Sequence, residues 1–593
     1  MIKPTSTTTA ALLLASTNVV NADLPVHCIR PQVLGHWKFH LGKRSPHRTT
    51  CGHATPDIDS RQPDVHNFLK DSDVQETVAV ELQDPNSAIV NGKDGSKWSM
   101  IYDEGITVSS DELEFFSFSH FQKPGKPQVH GKKMFRSFCG QSEIGWFRDV
   151  KTNEFGCYRA EKADQNEKGV AFYHLSLLEE ENKTTGAVSL AAKQKRSFLA
   201  TGSSERVKSA EVASTALVSS TSLQFLEKID HAKEVSNINK AQSGWTAAVY
   251  SDAFMHEKMG QLQKRARRKP ISAMSMGNSA QGSAARERLP PSFKKSKHKA
   301  TKAVSVAVAK DSKNTKTEDA HDNADDLPKK FAWDDVDGEN YLEPILDQAD
   351  CGSCYAVSSV HMLSARYRVH KKDPSLEGFS INFPLYCSDL NQGCQGGYPS
   401  LVSMWSSHVG LIPKSCAGDY FTSDTATCKQ TLTEHVSKAE FKSCVEQAEK
   451  DKKVAQVAKW SYIGGYYGAC SVGKMMADLY KYGPLAVALE PAMDFMYYRS
   501  GVYKSSPVKT AQPWVKVDHA VLLIGWGEDD ATKTPYWTIQ NSWGTSWGEN
   551  GNIRIVRGEN ESGVEFQAVA AYLQDGKAAP VLDYAKGVLK EEL

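Results

Sequence analysis

The chain has 593 residues, enough for several folded units, and sets 71 Lys+Arg against 70 Asp+Glu for a formal net charge of +1. That balance gives no whole-chain electrostatic case for binding nucleic acid. Its twelve cysteines are distributed unevenly, with none between residues 158 and 350, so the middle is built differently from the two ends.

The first 22 residues read as a signal peptide. Lys3 is a short basic region, Ala10 to Val20 a modest apolar core, and Val20-Asn21-Ala22 a small-residue cleavage site. Cleavage after Ala22 makes Asp23 the mature N-terminus; the alternative is a Thr/Ala-rich tail. The apolar core is too short to span a bilayer permanently, and no later apolar run is long enough. Disulfides are permitted in a secretory chain of this kind.

Residues 23–160 carry short alternating or aromatic runs: Leu34 to Phe39, Thr77 to Leu82, Trp98 to Tyr102, Leu113 to His120 and Gly145-Trp146-Phe147. Turn residues such as Asp84-Pro85-Asn86 and Asn91-Gly92 separate them. This pattern predicts an antiparallel sheet or barrel. Residues 161–326 are rich in Lys, Ser, Ala, Glu and Thr and poor in aromatics, and Arg265 to Asp326 within them reads as a disordered linker; the resemblance described below makes 161–326 a propeptide with that linker. Within them, Phe225 to Gln263 has a helical pattern around Ile229, Val235, Ile238 and Trp245. The basic run Lys264 to Lys269 matches a nucleic-acid patch or nuclear signal. Behind a signal peptide, a protease-accessible linker is the better reading.

Residues 327–573 form a compact domain. Its first half is helical with cysteine-rich loops; its second half has strand-like runs at Leu485 to Leu489, His519 to Trp526, Tyr536 to Gln540 and Asn552 to Val556. Residues 574–593 read as a C-terminal tail. Asn182 and Asn560 begin N-x-[ST] sequons, a pattern chance also produces.

The chemistry centres on Gln348-Ala349-Asp350-Cys351-Gly352-Ser353-Cys354-Tyr355-Ala356. Cys354 opens a predicted helix, Cys354 to Val369, with apolar positions at Val357, Val360, Leu363, Ala365 and Val369. A cysteine at a helix N-terminus feels the positive end of the dipole, which favours the nucleophilic thiolate. Gln348 is close enough for its amide to donate to an oxyanion. Two structural cysteines beside a buried helix would give the same local pattern. A thiolate also needs a base and a group to orient that base. His519 stands at the head of an apolar strand, and Asn541 follows the next strand, with Trp543 available to shield the pair.

Four motifs together resemble the papain family of cysteine proteases: Gln348 to Ala356, Gly393-Cys394-Gln395-Gly396-Gly397, Asp518-His519-Ala520 and Asn541-Ser542-Trp543-Gly544-Thr545-Ser546-Trp547-Gly548. Tyr355 after the nucleophile is similar to the dipeptidyl peptidase I (cathepsin C) branch. Asp23-Leu24-Pro25-Val26-His27-Cys28 and Leu34-Gly35-His36-Trp37 resemble the start of that branch's exclusion domain. Ser243-Gly244-Trp245-Thr246-Ala247 resembles its inhibitory propeptide, and Leu327-Pro328 the start of its mature catalytic domain. The implied fold class is α+β. A papain-like two-lobe catalytic domain, one lobe helical and the other a β-barrel, is preceded by an all-β exclusion domain (an antiparallel barrel) and a propeptide.

The resemblance implies an activity as well. Cys354 is the nucleophile, His519 its acid–base partner, Asn541 the orienting group and Gln348 an oxyanion donor. Gly396 and Gly397 lend backbone hydrogen bonds to substrate, Trp547 lies beside the leaving group, and the Asp23 carboxylate binds the substrate's free α-amine. The reaction implied is removal of dipeptides from peptides and proteins with free N-termini. A chloride ion is implied at Tyr462 with the backbone N–H groups of Tyr398 and Ser400, where Ser400 replaces an aromatic. Gln567 falls where the second substrate pocket has an apolar residue. The implied disulfides are Cys28–Cys139, Cys51–Cys157, Cys351–Cys394, Cys387–Cys428 and Cys416–Cys444, leaving Cys470 unpaired; sequence alone permits many other pairings. The charge balance and the short apolar runs give no nucleic-acid partner and no membrane span, and the likeness implies a homo-tetramer of processed protomers and a lysosome-like or secreted location.

Two other readings compete. In one, the protein is a papain-like endopeptidase whose N-terminal unit is only a pro-domain or targeting module; it parts from the dipeptidase at Asp23. In the other it is a non-enzymatic papain-like binding protein, which the intact Cys354, His519, Asn541 and Gln348 argue against.

Overall fold

The computed structural model describes residues 26, 28–57, 62–122, 134–163, 170–173, 230–251, 253–255, 258, 327–423, 426–433, 437–506 and 519–589. Asp23, the expected signal peptide, Asn182, the basic run at 264–269, and Asp518 lie outside them.

The N-terminal unit has ten strands: β1 (Gly35–Leu41), β2 (Glu76–Gln83), β3 (Ser87–Val90), β4 (Lys93–Ile101), β5 (Gly105–Ser109), β6 (Leu113–Gln122), β7 (Met134–Ser142), β8 (Gly145–Asp149), β9 (Glu154–Lys162) and β10 (Val170–Tyr173). Antiparallel pairs run β1-β2-β3-β4-β5-β6-β8-β9, and β9 returns to pair with β1, so these eight strands close into a barrel. Closure removes the exposed edges that an open sheet would present. Alternation fills the interior. Trp37, Phe39 and Leu41 of β1 and Val78, Val80 and Leu82 of β2 point inward while their neighbours face outward. Phe39 stacks on Tyr158 at 5.1 Å between ring centres and meets Phe115 edge-on at 4.9 Å. Burying a side chain of this size contributes about 1.5–3 kcal/mol. Disulfides Cys28–Cys139 and Cys51–Cys157 staple the barrel across sequence separations of 111 and 106 residues.

The unit extends beyond the expected boundary at 160, because β10 adds to β7 on the barrel's flank. The helical pattern expected over 225–263 is also shorter. Helix α1 (His231–Ala241) is followed by a strand, β11 (Trp245–Ala247). Trp245 belongs to that strand because its backbone pairs with another strand in the next domain, a long-range contact that local periodicity does not report.

The helical lobe of the domain at 327–573 holds α2 (Cys354–Lys371), α3 (Asn382–Cys387), α4 (Pro399–Val409), α5 (Cys428–Thr433) and α6 (Lys438–Lys450). Helix α6 begins with a capping box in which Ser437 and Glu440 satisfy each other's backbone N–H groups. Helix α2 is buried on every face for most of its length. Its Arg366 crosses to the second lobe, where the guanidinium donates to Pro484 O (2.7 Å), Gly483 O (3.1 Å) and Asp478 Oδ1 (2.5 Å). Disulfides Cys351–Cys394, Cys387–Cys428 and Cys416–Cys444 tie the loops of this lobe.

The second lobe is a sheet. It contains β11, β12 (Phe331–Ala332), β13 (Ala455–Tyr462), β14 (Leu485–Leu489), β15 (Tyr498–Tyr503), β16 (His519–Glu528), β17 (Pro535–Gln540), β18 (Asn552–Val556) and β19 (Ala568–Asp575), with helix α7 (Val472–Tyr482) alongside. The expected tail is a correction: α8 (Ala578–Leu589) folds back onto the helical lobe. Val581 and Ala585 are fully buried there, and Tyr584 packs edge-on against Trp405 at 5.4 Å. Apolar residues at helical spacing are the signal for this element.

The barrel docks on both lobes. Arg48 pairs with Asp389 at 2.5 Å, both buried, and the Asp57 N–H donates to Asn391 O at 2.8 Å. From the sheet lobe, the Tyr467 N–H donates to Ser99 Oγ (3.0 Å) and Gln567 Nε2 to the Tyr102 hydroxyl (2.7 Å). From the helical lobe, the Tyr398 hydroxyl donates to Glu104.

Candidate active site

The loop before α2 is fixed before any chemistry is considered. The Cys351–Cys394 disulfide joins it to the 393–398 segment, and the Gly352 N–H donates to Cys394 O at 2.7 Å. A Cβ on Gly352 would lie 2.4 Å from that oxygen, so only glycine fits. Ser353 then takes the N-cap position and Cys354 opens α2. The first N–H groups of a helix have no carbonyl partner within it, so they point free donors and partial positive charge at the thiol's surroundings. Cys354 is outside any disulfide and buried.

The sheet lobe meets the thiol at the start of β16, where the Ala520 N–H donates to Cys354 Sγ at 3.4 Å. His519, the preceding residue, is 1% exposed. Its Nε2 lies 2.7 Å from Asn541 Oδ1, which also accepts the Ser542 N–H at 2.8 Å. With Nε2–H donated to an amide oxygen, Nδ1 is the nitrogen left for proton transfer. The Trp543 indole stacks on the imidazole at 5.1 Å and 25° between planes, screening the His519–Asn541 pair from water.

Gln348 is held at three points. Its Nε2 donates to Cys351 O (2.8 Å), its Oε1 accepts from the Ser542 hydroxyl (2.5 Å), and its backbone N–H donates to Ser542 O (2.9 Å). The Tyr420 hydroxyl adds a contact to Gln348 O at 3.0 Å and touches Ser353 Oγ at 2.7 Å. Burial pushes the Tyr420 hydroxyl's pKa up, so it stays protonated and able to donate. Sequence reasoning gave Ser542 and Tyr420 no role. Ser542 was visible inside the Asn-Ser-Trp motif; Tyr420 carries no local signal.

Gly396 and Gly397 follow Cys394 in the segment that packs on Gly352. A Cβ on Gly397 would meet Asn391 Oδ1 at 2.4 Å and the Tyr355 ring at 2.6 Å. Gly396 has φ +127, a conformation that favours glycine. Trp547 is fully buried behind Trp543, with ring centres 5.2 Å apart, and its indole donates to Met496 O at 3.1 Å.

Residues 230–251, 253–255 and 258 lie along this side. Strand β11 pairs with β15, the Trp245 indole donates to Lys504 O (2.9 Å), and the Tyr250 hydroxyl accepts the Gly548 N–H at 2.8 Å. Lys258 then pairs with Asp347, the neighbour of Gln348, at 2.6 Å.

The residues expected at the chloride site cluster. The Tyr462 hydroxyl donates to Ser400 Oγ at 3.1 Å, and both side chains are buried. Burial pushes the Tyr462 hydroxyl's pKa up. The Tyr398 N–H donates to Asn391 Oδ1 at 2.8 Å. Cys470 forms no disulfide; its thiol accepts the Ala568 N–H at 3.1 Å, and burial pushes its pKa up to about 12.

A buried cysteine at a helix N-terminus, a histidine oriented by an asparagine and a pinned glutamine amide are the groups that thiol-dependent acyl transfer requires. Comparison with known proteins agrees. The family described as "Papain family cysteine protease" matches residues 327–572, and "Cathepsin C exclusion domain" matches residues 23–162. The chain is 26% identical to "Cathepsin C" of Schistosoma mansoni over 567 residues, covering 94% of this chain and 97% of that protein. It is 23% identical to "Dipeptidyl aminopeptidase 1" of Plasmodium falciparum over 671 residues, covering 92% and 93%. It is 30% identical to "Cathepsin B-like CP2" of Giardia intestinalis over 270 residues, covering 46% and 82%. The chain belongs to the papain family of cysteine proteases and carries a cathepsin C exclusion domain. It is a cysteine peptidase.

Proposed function

We propose that the protein removes dipeptides from the free N-termini of peptides and proteins, and that Cys354, His519, Asn541 and Gln348 carry the reaction. Proton transfer from the Cys354 thiol to His519 gives a thiolate–imidazolium pair. The thiolate attacks the scissile carbonyl, and the oxyanion is held by the Cys354 backbone N–H and the second N–H of the Gln348 amide. The imidazolium protonates the leaving amine as the C–N bond breaks, leaving a thioester. His519 then takes a proton from water, hydroxide adds to the thioester, and collapse releases the dipeptide acid and the thiol. Asn541 keeps the ring facing the sulfur through both steps, and Trp547 borders the leaving-group side.

The observation that carries the dipeptidyl reading is how the barrel's N-terminal end is anchored. The Cys28 N–H donates to Asp103 O at 2.7 Å, and the adjacent Glu104 accepts from Tyr398, next to Gly397 in the cleft. Five residues of extended chain reach at most about 17 Å. The Asp23 carboxylate therefore has the reach to bind a substrate's α-ammonium, as a desolvated cation requires, while the barrel closes the cleft beyond it. The test is mass spectrometry of products from one peptide in free and N-acetylated forms. Release of successive dipeptides from the free form alone is expected; internal cleavage of the acetylated form at a similar rate contradicts the reading and favours an endopeptidase.

Chloride fits the donor set: the Tyr462 and Ser400 hydroxyls and the Ser400 N–H in the first turn of α4 are neutral donors, and no carboxylate joins them in the described contacts. The Tyr398 N–H would have to release Asn391 to take part. Such an anion would supply fixed negative charge and order to the cleft wall. Residues 230–258 act as the propeptide that restrains the cleft until they are cut away. The active form is a tetramer of processed protomers in a lysosome-like compartment or outside the cell. Among the described residues no helix is long and apolar enough to cross a membrane.

A further inference from the structure

One hydroxyl closes the loop between Gln348 and the start of the nucleophile's helix. The Tyr420 hydroxyl lies 3.0 Å from Gln348 O and 2.7 Å from Ser353 Oγ, and Gln348 and Ser353 are both buried. A carbonyl only accepts, so the single phenolic proton goes to Gln348 O, and the Ser353 hydroxyl is the donor to the Tyr420 oxygen. The hydrogen bonds thus run from Ser353 to Tyr420 to Gln348 and bridge the two ends of loop 348–353.

Ser353 is the N-cap residue of α2, where a serine oxygen ordinarily turns onto the first helical N–H groups. Here it makes no such bond. The Ser353 carbonyl accepts the Ala356 and Val357 N–H groups, each at 2.9 Å, while the hydroxyl points to Tyr420. The side chain serves the loop rather than the helix.

That loop needs a tie. Ala349 has φ +46, a left-handed conformation that a residue with a Cβ keeps only where its surroundings impose it. Ser542 holds Gln348 from the sheet lobe. Tyr420 holds it from the helical lobe, which also carries the nucleophile. The Tyr420 backbone is fixed in turn by α3. Asn382 Nδ2 donates to Asp419 O at 2.7 Å, and the Tyr386 hydroxyl donates to Phe421 O at 2.9 Å and accepts the Ser423 N–H at 3.0 Å. The Tyr386 and Phe421 rings stack at 4.8 Å, and the Cys416–Cys444 disulfide ties the same segment to α6.

An oxyanion shared by the Cys354 N–H and the Gln348 amide requires those two donors at a fixed separation. The helix start has ties of its own, through the Cys351–Cys394 disulfide and the bond from the Gly352 N–H to Cys394 O. Gln348 is therefore the end that shifts when the bridging hydroxyl is lost.

We propose that Tyr420 is a positioning residue for acyl transfer: its hydroxyl sets the separation between the Gln348 amide and the start of α2, and it acts through Gln348 without touching substrate. The inference rests on Gln348 being an oxyanion donor and is independent of the dipeptidyl restriction.

The test uses the processed full-length protein, titrated for active thiol, and an Ala-Ala coumarylamide, or its N-acetyl form if only that is cleaved. Tyr420→Phe removes one oxygen and keeps the ring; it should lower kcat about tenfold and change KM less than about twofold. In a Gln348→Ala background the same substitution should change kcat less than about twofold, because the group it positions is gone. Alkylation by iodoacetamide reads the thiolate and needs no oxyanion donor, so its rate should keep the wild-type pH profile in Tyr420→Phe. Wild-type kcat in Tyr420→Phe overturns the proposal, as does an equal loss in both backgrounds. A hydroxyl that only supports the fold would slow alkylation and turnover together, and that result overturns it too. Gln348→Ala at the wild-type rate would refute the donor role itself, and the proposal with it.

Discussion

Ser542 holds Gln348: its hydroxyl donates to Gln348 Oε1 at 2.5 Å, and the two backbones are joined at 2.9 Å. In the proposed mechanism Gln348 is an oxyanion donor, and this contact, made to Oε1 and not to the amide NH2, orients that donor. Removing an oxyanion donor costs about 10²–10³ in kcat, and Gln348→Ala should fall in that range. Ser542→Ala leaves the donor present but loosely held. A drop of about tenfold in kcat with little change in KM is expected, read by steady-state kinetics normalised to titrated thiol.

In the proposed propeptide role of residues 230–258, Trp245 is the anchor, 4% exposed with its indole bound to Lys504 O. Truncating a buried tryptophan costs about 3–5 kcal/mol. Trp245→Ala should therefore weaken inhibition of the processed enzyme by a separate 230–258 peptide by a factor of about 100 or more. The inhibition constant is the measurement; an unchanged constant would place the restraint elsewhere.

Asp494 gives the catalytic domain a dependence on pH. Burial pushes its carboxyl up to about 6, against hydrogen bonds received from the Tyr503 hydroxyl (2.6 Å) and the Ser506 N–H (2.5 Å). In the unfolded chain the same group titrates near about 4. Between these values the folded state binds more protons. The stabilisation is full below about pH 4 and is lost as pH rises through about 6, on the order of 3 kcal/mol. Melting temperature should fall across this interval, and Asp494→Asn should flatten that fall. The direction suits an enzyme working in an acidic compartment.

Chloride dependence is a further expectation. Replacing chloride by sulfate should lower kcat/KM, and Tyr462→Phe, which removes one hydroxyl donor, should raise the chloride concentration for half-maximal activity several-fold. Activity of both proteins indifferent to chloride would remove the anion from the account.

Much of the site is legible in the sequence because papain-type chemistry uses residues in short, fixed surroundings. Cys354 at a helix start, His519 heading an apolar strand and Asn541 after the next are visible as local patterns, and the structure places Asn541 against His519 and β16 against the thiol. The closed barrel follows from alternation in runs such as Trp37-Lys38-Phe39. What was not legible depends on distant partners. Trp245 has helical neighbours but pairs with β15, and α8 is buried only because Trp405 and Cys387 wait for it. Tyr102 and Glu104 lie hundreds of residues from Tyr398 and Gln567, and no local pattern says that they meet.

In the proposed function, a carboxylate at residue 23 restricts a papain-type nucleophile to free N-termini. This restriction is tested most directly by kcat/KM for one dipeptidyl coumarylamide with a free and with an acetylated N-terminus, on the wild type and on Asp23→Asn. Breaking a buried ion pair costs about 3–5 kcal/mol, so the wild type should favour the free amine by about 100-fold or more and the variant should lose most of that preference. Equal rates on both substrates in the wild type, or a preference that Asp23→Asn leaves intact, would contradict the account.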